Sequence, residues 1–285
     1  MRVNGDSLLD GVTSSGHSDR GAVRRINEDS FVIAPPVFLV ADGMGGHAHG
    51  DRASQAVASV FAAAFPASVP TEPADVLAAI HLANERVLAI GDDDLALSGT
   101  TLVGLALVQV GPESGCHWMA FNVGDSRIYT WDGRALVQLS VDHSAVQELV
   151  DAGLITRREA DVHPERNIVT RALGADALVD PDVWLLPAVD HQTFLLCSDG
   201  LTKELDDDEI ARVIAFHDSE AARHDTEHPL SLPERLVNAA IAAGGSDNVT
   251  VVIVDADLAP RAHIDDDTSE RGGMPRFLEE TRPRG

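Results

Sequence analysis

Aromatic residues are scarce in this sequence: Phe, Trp and Tyr make up 4% of its 285 residues. Any core must therefore rest on Val, Leu, Ile and Ala. Cysteine is nearly absent. Cys116 and Cys197 are too few for a disulfide framework, and no CxxC pair offers a soft-metal site. Cys197 closes the apolar run TFLLC and reads as a buried structural thiol. No apolar run approaches the roughly 18 residues that a membrane span requires. The opening MRVNGDSLLD holds no apolar stretch of signal-peptide length. These absences predict a soluble, cytoplasmic protein with no membrane partner. Lysine occurs once, as Lys203, among many Arg and Ala, a bias that fits GC-rich bacterial coding.

Positive charge is also short. Twenty-one Lys and Arg face 46 Asp and Glu, a formal net charge of −25. Such a chain repels nucleic acid and anionic surfaces, so neither is expected as a partner. The surplus acid is either a solvated surface or a set of carboxylates converging on cations, and position must decide.

The chain is 44% hydrophobic, enough for one core in a domain of conventional size. Apolar runs predict strands at Phe31–Ala34, Val37–Ala41, Thr100–Val110, Cys116–Val123, Arg127–Trp131, Ala135–Ser140, Gln192–Cys197 and Val249–Val254. Asp132-Gly133 signals a two-residue hairpin. Helical spacing covers Asp51–Phe65, Pro73–Ile90, Ser144–Ala152, Asp206–Phe216 and Leu232–Ala243. Several strands follow one another around residues 100–140 with short connections, which favours antiparallel pairing. An α+β layered domain over residues 10–257 is expected, with a surface flap over 142–176. The Pro-, Gly- and charge-rich stretch 258–285 is expected to be a disordered tail.

Carboxylates recur where strands end. Val37–Ala41 runs into Asp42-Gly43, Phe121–Val123 into Gly124-Asp125-Ser126, and Phe194–Cys197 into Ser198-Asp199-Gly200. Asp247-Asn248 immediately precedes Val249–Val254. One such Asp is usually a turn former, because it bonds its own backbone. Four are harder to assign to turns alone. If these ends share one sandwich mouth, the carboxylates meet, and clustered carboxylates need a cation to offset their repulsion. Hard Mg²⁺ or Mn²⁺ prefers such oxygen ligands. Upstream, the stretch Asp19–Asp29 places Arg24 beside Glu28 and Asp29. An Arg in that setting is either an ion-pair partner or a phosphate clamp.

The motifs GAVRRINED, VADGMGGH, SGTTLVGLAL, NVGDSRIY, LLCSDGLTKEL and GGSDNVTVVIV occur in this order. Together they resemble the PPM, or type-2C, metal-dependent Ser/Thr protein phosphatases, in particular the bacterial branch. The resemblance implies a β-sandwich of two antiparallel sheets flanked by helix pairs, with a metal cleft at one end and a flap beside it. It implies that Asp42 bridges two Mn²⁺ or Mg²⁺ ions and that Gly43 offers its carbonyl. Asp199 and Asp247 would complete one ion's ligands, Glu28 would hold the other with Asp29 behind it, and Asp125 with Asp199 would form a third-metal site. Arg24 matches the phosphate-binding Arg. The implied catalytic residues are Arg24, Asp42 and Asp199, and the implied reaction is attack of a metal-bridging hydroxide on phosphoserine or phosphothreonine. Partners would be phosphoproteins made by Ser/Thr kinases, and the chain a monomer. One departure stands out: Met44 occupies the position where some relatives carry a His as proposed general acid. His47 and His49 lie nearby and read as surface-loop residues.

Other classes fare worse. No Gly-Lys-Ser/Thr follows Gly43–Gly46, which excludes a P-loop. The Asp-rich runs Asp92–Asp94, Asp206–Asp208 and Asp265–Asp267 do not follow strands, as an aspartyl-phosphate enzyme would need; they read as solvated charge or helix-start acids. A pseudophosphatase acting as a binding module would lack ligands that this chain keeps. A small-phosphoester hydrolase would share the site chemistry and differ only in substrate.

Overall fold

The computed structural model describes residues 9, 11–45, 49–65, 70–94, 98–111, 115–221 and 230–258. The strands are β1 (Val12–Asp19), β2 (Asp29–Ala34), β3 (Val37–Met44), β4 (Gly99–Thr100), β5 (Leu102–Gln109), β6 (Cys116–Val123), β7 (Arg127–Trp131), β8 (Leu136–Gln138), β9 (Asp182–Pro187), β10 (Asp190–Cys197) and β11 (Val249–Leu258). The helices are α1 (Gly50–Ala64), α2 (Pro73–Asp94), α3 (Ala145–Asp151), α4 (Arg157–Ala160), α5 (Asp199–Thr202), α6 (Asp207–Ala221) and α7 (Leu232–Ala243).

Two antiparallel sheets result. One has the order β1-β11-β10-β7-β8, the other β2-β3-β5-β6-β9, with β4 added to β3. Their central strands are apolar on both faces, as strands covered on both sides must be. In β5, Val103, Leu105 and Leu107 face the other sheet, while Leu102, Ala106 and Val108 face helices. In β11, Val252, Val254 and Ala256 point between the sheets, and Val249, Val251 and Ile253 point outward. The period of two thus feeds two cores at once. Ala53, Val57 and Phe61 of α1 and Val76, Ile80, Ala83 and Val87 of α2 cover one sheet. Phe61 stacks on Phe121 with ring centroids 5.8 Å apart. On the other side, Leu236, Val237 and Ala240 of α7 and Ile210 and Ile214 of α6 cover the second. The expected sandwich with flanking helix pairs is the architecture observed. Among the described residues no helix is long and apolar enough to cross a membrane.

Two strands lie outside the runs read from the sequence, although β9 carries the apolar run Val183–Leu186. β1 reads VTSSGHSD, with hardly an apolar residue, and it forms because β11 offers it a full ladder from Val12↔Ala256 to Asp19↔Val249. β9 is an edge strand on β6, and its DVWLLP is closed by proline. The hairpin after β7 forms at Asp132-Gly133, but Trp131 pairs with Leu136, so the loop is four residues rather than two. Asp132 Oδ1 accepts the N–H groups of Arg134 and Ala135, which fixes this longer turn. Leu258 was assigned to the tail, yet it pairs with Asp190 and is 5% exposed. The remainder of that stretch, 259–285, lies outside the described residues, as does His47.

The flap region holds α3 and α4 and is fastened at its ends. Ser144 bridges Val169, and Leu173 bridges Thr100.

Candidate metal centre

The strand-end acids do meet at one end of the sandwich, and the register shows how. Asp29 and Asp42 are direct cross-strand partners on β2 and β3. Asp29 points toward the other sheet, where its Oδ2 accepts the hydroxyls of Ser198 at 2.8 Å and Thr250 at 2.7 Å. Its Oδ1 is buried with no hydrogen-bond partner. Asp42 is held through its backbone: its N–H donates to Thr101 Oγ1, and its carbonyl accepts from Thr101 N–H and Thr100 Oγ1. Thr101 Oγ1 also lies 2.7 Å from Ser126 Oγ, tying this strand end to the loop that carries Asp125.

Close backbone packing explains Gly43. A Cβ there would collide with the carbonyl of Gly50, and one at Gly50 would press on Glu28 Oε1. Glu28 thereby sits against the start of α1. Its N–H donates to Asn248 Oδ1 at 2.8 Å, and Asn248 Nδ2 donates to the carbonyls of Arg20 and Ile26. Asn248 is a clamp that fixes the loop from Arg20 to Glu28 against the start of β11.

Asp199 opens α5 directly after β10, and Asp247 lies just before β11. Lys203 joins them: its Nζ lies 2.6 Å from Asp199 Oδ2 and 2.6 Å from Asp247 Oδ2. Arg24 also grips Asp247, with Nε 2.8 Å from Oδ1 and Nη2 2.9 Å from Oδ2. Asp199 Oδ1 is buried without a hydrogen-bond partner.

Electrostatics divides these acids. Burial pushes the Asp29 and Asp125 carboxyls up to about 7, with the Asp199 charge adding to both. Asp42 is raised well above its ordinary value by burial, then by Asp29, Asp199 and Asp125. Glu28 is raised too, by burial first and by Asp51 and Asp247, against the pull of Arg24. Asp247 goes the other way. Burial opposes its charge, but Lys203, the Asn248 N–H and Arg24 together hold it below the usual range.

A hard cation fits this arrangement. The donors are all oxygen, two buried carboxylate oxygens lack any partner, and the negative charges are close enough to raise one another. As the side chains stand, no three His, Cys, Asp or Glu groups among the described residues are arranged to hold a metal ion, and Lys203 and Arg24 occupy oxygens of Asp199 and Asp247. Glu28 and Gly43 lie toward α1, while Asp125 and Asp199 lie toward the flap. Met44 ends β3 beside this cluster, paired with Gly99. His49 precedes α1 and its carbonyl accepts from Ser98 Oγ.

Asp125, Asp199 and Asp247 line a cleft of about 1170 Å³ together with Arg24, Lys203 and Arg157, Arg158 and Arg166 of segment 142–176, while Glu28, Asp29 and Asp42 are not part of its lining. Arg127 braces the flap root by a forked pair with Asp142, Nη2 to Oδ2 at 2.7 Å. His143 accepts the Gly124 N–H at Nδ1, which fixes the turn carrying Asp125. Lys203, Asn248 and His143 were not singled out as site residues from the sequence. Asn248 follows Asp247, His143 packs on the turn that carries Asp125, and Lys203 stands one helical turn after Asp199.

A family model described as protein phosphatase 2C matches residues 25–239. The chain is 32% identical over 256 residues to serine/threonine phosphatase stp of Listeria monocytogenes, covering 86% of this chain and 96% of that protein. It is similar to the solved PPM Ser-Thr phosphatase MsPP from Mycobacterium smegmatis in complex with cacodylate, with a TM-score of 0.72 and 35% identity over 86% of this chain and 98% of that one. A solved catalytic domain of serine/threonine protein phosphatase PstP in complex with two manganese ions gives a TM-score of 0.70 and 32% identity, covering 87% and 99%.

Proposed function

The chain belongs to the protein phosphatase 2C family, and from that we propose that its carboxylate cluster is the catalytic centre of a metal-dependent protein serine/threonine phosphatase, with two Mn²⁺ or Mg²⁺ ions in the core site. The enzyme acts on phosphoproteins. The observation that carries the residue assignment is the convergence of Asp29, Asp42, Asp125, Asp199 and Asp247 from both sheets, with buried oxygens of Asp29 and Asp199 unpartnered.

In this reading Asp42, the Gly43 carbonyl and Glu28 would hold a cation on the α1 side, and Asp42, Asp199 and Asp247 would hold one on the α5 side. Asp29 stands behind Asp42, oriented by the Ser198 and Thr250 hydroxyls. Asp125 with Asp199 would hold a third cation. When bound, such a pair of divalent ions supplies a water of lowered pKa and charge to offset the phosphoryl oxygens. Arg24 lines the cleft with five donors in a planar fork. It turns from Asp247 to a substrate phosphate and orients it. The Thr100–Thr101 contacts hold the Asp42 backbone, which fixes where its side chain starts.

The domain is taken as residues 10–258, one residue beyond the expected end because Leu258 closes β11, with the flap over 142–176. We further assign the enzyme as a cytoplasmic monomer that opposes Ser/Thr kinases, because its reaction consumes what those kinases make.

Hydrolysis of p-nitrophenyl phosphate and of a phosphothreonine peptide, each with Mn²⁺, Mg²⁺ or EDTA, tests this function. Cation-dependent phosphate release from both is expected. A folded protein that turns over neither under any condition would overturn the reading, and turnover of the small ester alone would move it to a small-phosphoester hydrolase.

A further inference from the structure

Lys203 is the chain's only lysine, and it lies against the two acids that the metal reading needs most on the α5 side. Its place is fixed by two separate features. The α5 turn puts it four residues after Asp199, with its N–H donating to the Asp199 carbonyl at 2.8 Å. The antiparallel pairing of β10 with β11 brings Asp247 alongside. The ammonium then sits 2.6 Å from one oxygen of each acid, with the Lys203 side chain 26% exposed and those of Asp199 and Asp247 16% and 13%. At this depth two charge-assisted contacts are strong, and they use the oxygens that a divalent ion would also use. Asp247 has no spare oxygen, since Arg24 and the Asn248 N–H take Oδ1. Asp199 keeps one unpartnered oxygen, Oδ1.

We propose that Lys203 is a tethered cation of the metal centre: it holds Asp199 and Asp247 together in the cation-free protein, competes with the divalent ion for them, and so sets the metal affinity of this half of the site. The inference rests on Asp199 and Asp247 being metal ligands. A plain surface ion pair would behave differently, because its removal would leave metal affinity unchanged.

The test uses the full chain as wild type, K203M and K203Q, stripped of metal and titrated with Mn²⁺, with free Mn²⁺ counted by its EPR signal. Thermal melting in EDTA is measured in parallel. K203Q removes the charge but puts a neutral amide, still able to donate hydrogen bonds, on a slightly shorter side chain, which guards against a folding defect in K203M. Both variants are expected to bind Mn²⁺ about tenfold or more tightly than wild type, and to melt several degrees lower in EDTA. Equal or weaker Mn²⁺ affinity in both variants overturns the proposal, as does an unchanged EDTA melting temperature. Wild-type protein that binds no Mn²⁺ would instead sink the metal reading beneath it.

Discussion

The two halves of the carboxylate cluster handle the same problem in opposite ways. On one side, Asp29, Asp42 and Asp125 are held together by sheet register and loop contacts, with their carboxyls raised by burial and by one another. On the other, Asp199 and Asp247 carry Lys203 between them, and Asp247 also carries Arg24. The first half is assembled by strand register and by hydroxyl donors to Asp29, and Lys203 offsets only part of the charge of Asp42 and Asp125. The second brings its own cations. A divalent ion therefore relieves repulsion on one side and must displace or share a partner on the other. On the proposed reading, that asymmetry makes metal affinity depend less on the number of acids than on which of them already have counter-charge.

The largest test of that contrast is Asp42→Asn. The change removes the acid shared by both proposed ions, so activity should fall by about a thousandfold or more. Because the lost group is a poorly compensated charge, the fold in EDTA should hold or gain slightly in melting temperature. Asp199→Asn should also abolish activity, but in EDTA it strips Lys203 of one partner and should melt lower than wild type. Equal melting behaviour of the two variants would erase the distinction between the halves.

A smaller effect follows from pH. Asp29 and Asp125 have folded values near 7, against an ordinary value of 3.8. For groups raised on folding, the stability they contribute is complete below their unfolded value and is lost as pH rises through the folded one. In EDTA the melting temperature should therefore fall between about pH 4 and pH 7, by several degrees. Asp247 is lowered instead, so its contribution is present above 3.8 and is lost only as pH drops through its lower folded value. Saturating Mn²⁺ should flatten the slope above pH 4, because a bound cation favours the ionised form. An EDTA melting temperature that rises over that window would mean these carboxylates are already compensated without metal.

The strand-end acids were visible in the sequence because each follows or precedes an apolar run, and a sandwich gathers such ends. What was not visible came from pairing across large sequence separations. β1 has almost no strand signal of its own and exists because β11 is beside it. Asn248 looked like a turn residue; its clamp on Arg20 and Ile26 spans 228 and 222 residues and has no local signature. Lys203 was noted only as a compositional oddity. Its role needs the one-turn α5, which was not predicted, and the pairing of β10 with β11, whose strands were predicted but whose pairing was not. The Asp132 loop was misjudged by two residues because side-chain capping, not the Gly alone, set its length.

Arg24 gives the finest test of the comparison, since it shares Asp247 with Lys203 but lies nearer solvent. Its side chain is 48% exposed, so the pair it makes with Asp247 should be worth no more than about 1 kcal/mol. Arg24→Ala should therefore leave the EDTA melting temperature within about a degree or two. Mn²⁺ affinity should change far less than in K203M, because Arg24 can leave Asp247 without moving the helix turn that tethers Lys203. The expected cost is in substrate binding: KM for a phosphopeptide rises about tenfold while kcat changes little. A collapse of kcat with KM unchanged would instead place the guanidinium on the transition state alone. A gain in Mn²⁺ affinity matching that of K203M would mean that both cations guard Asp247 equally, and that depth in the cleft does not separate them.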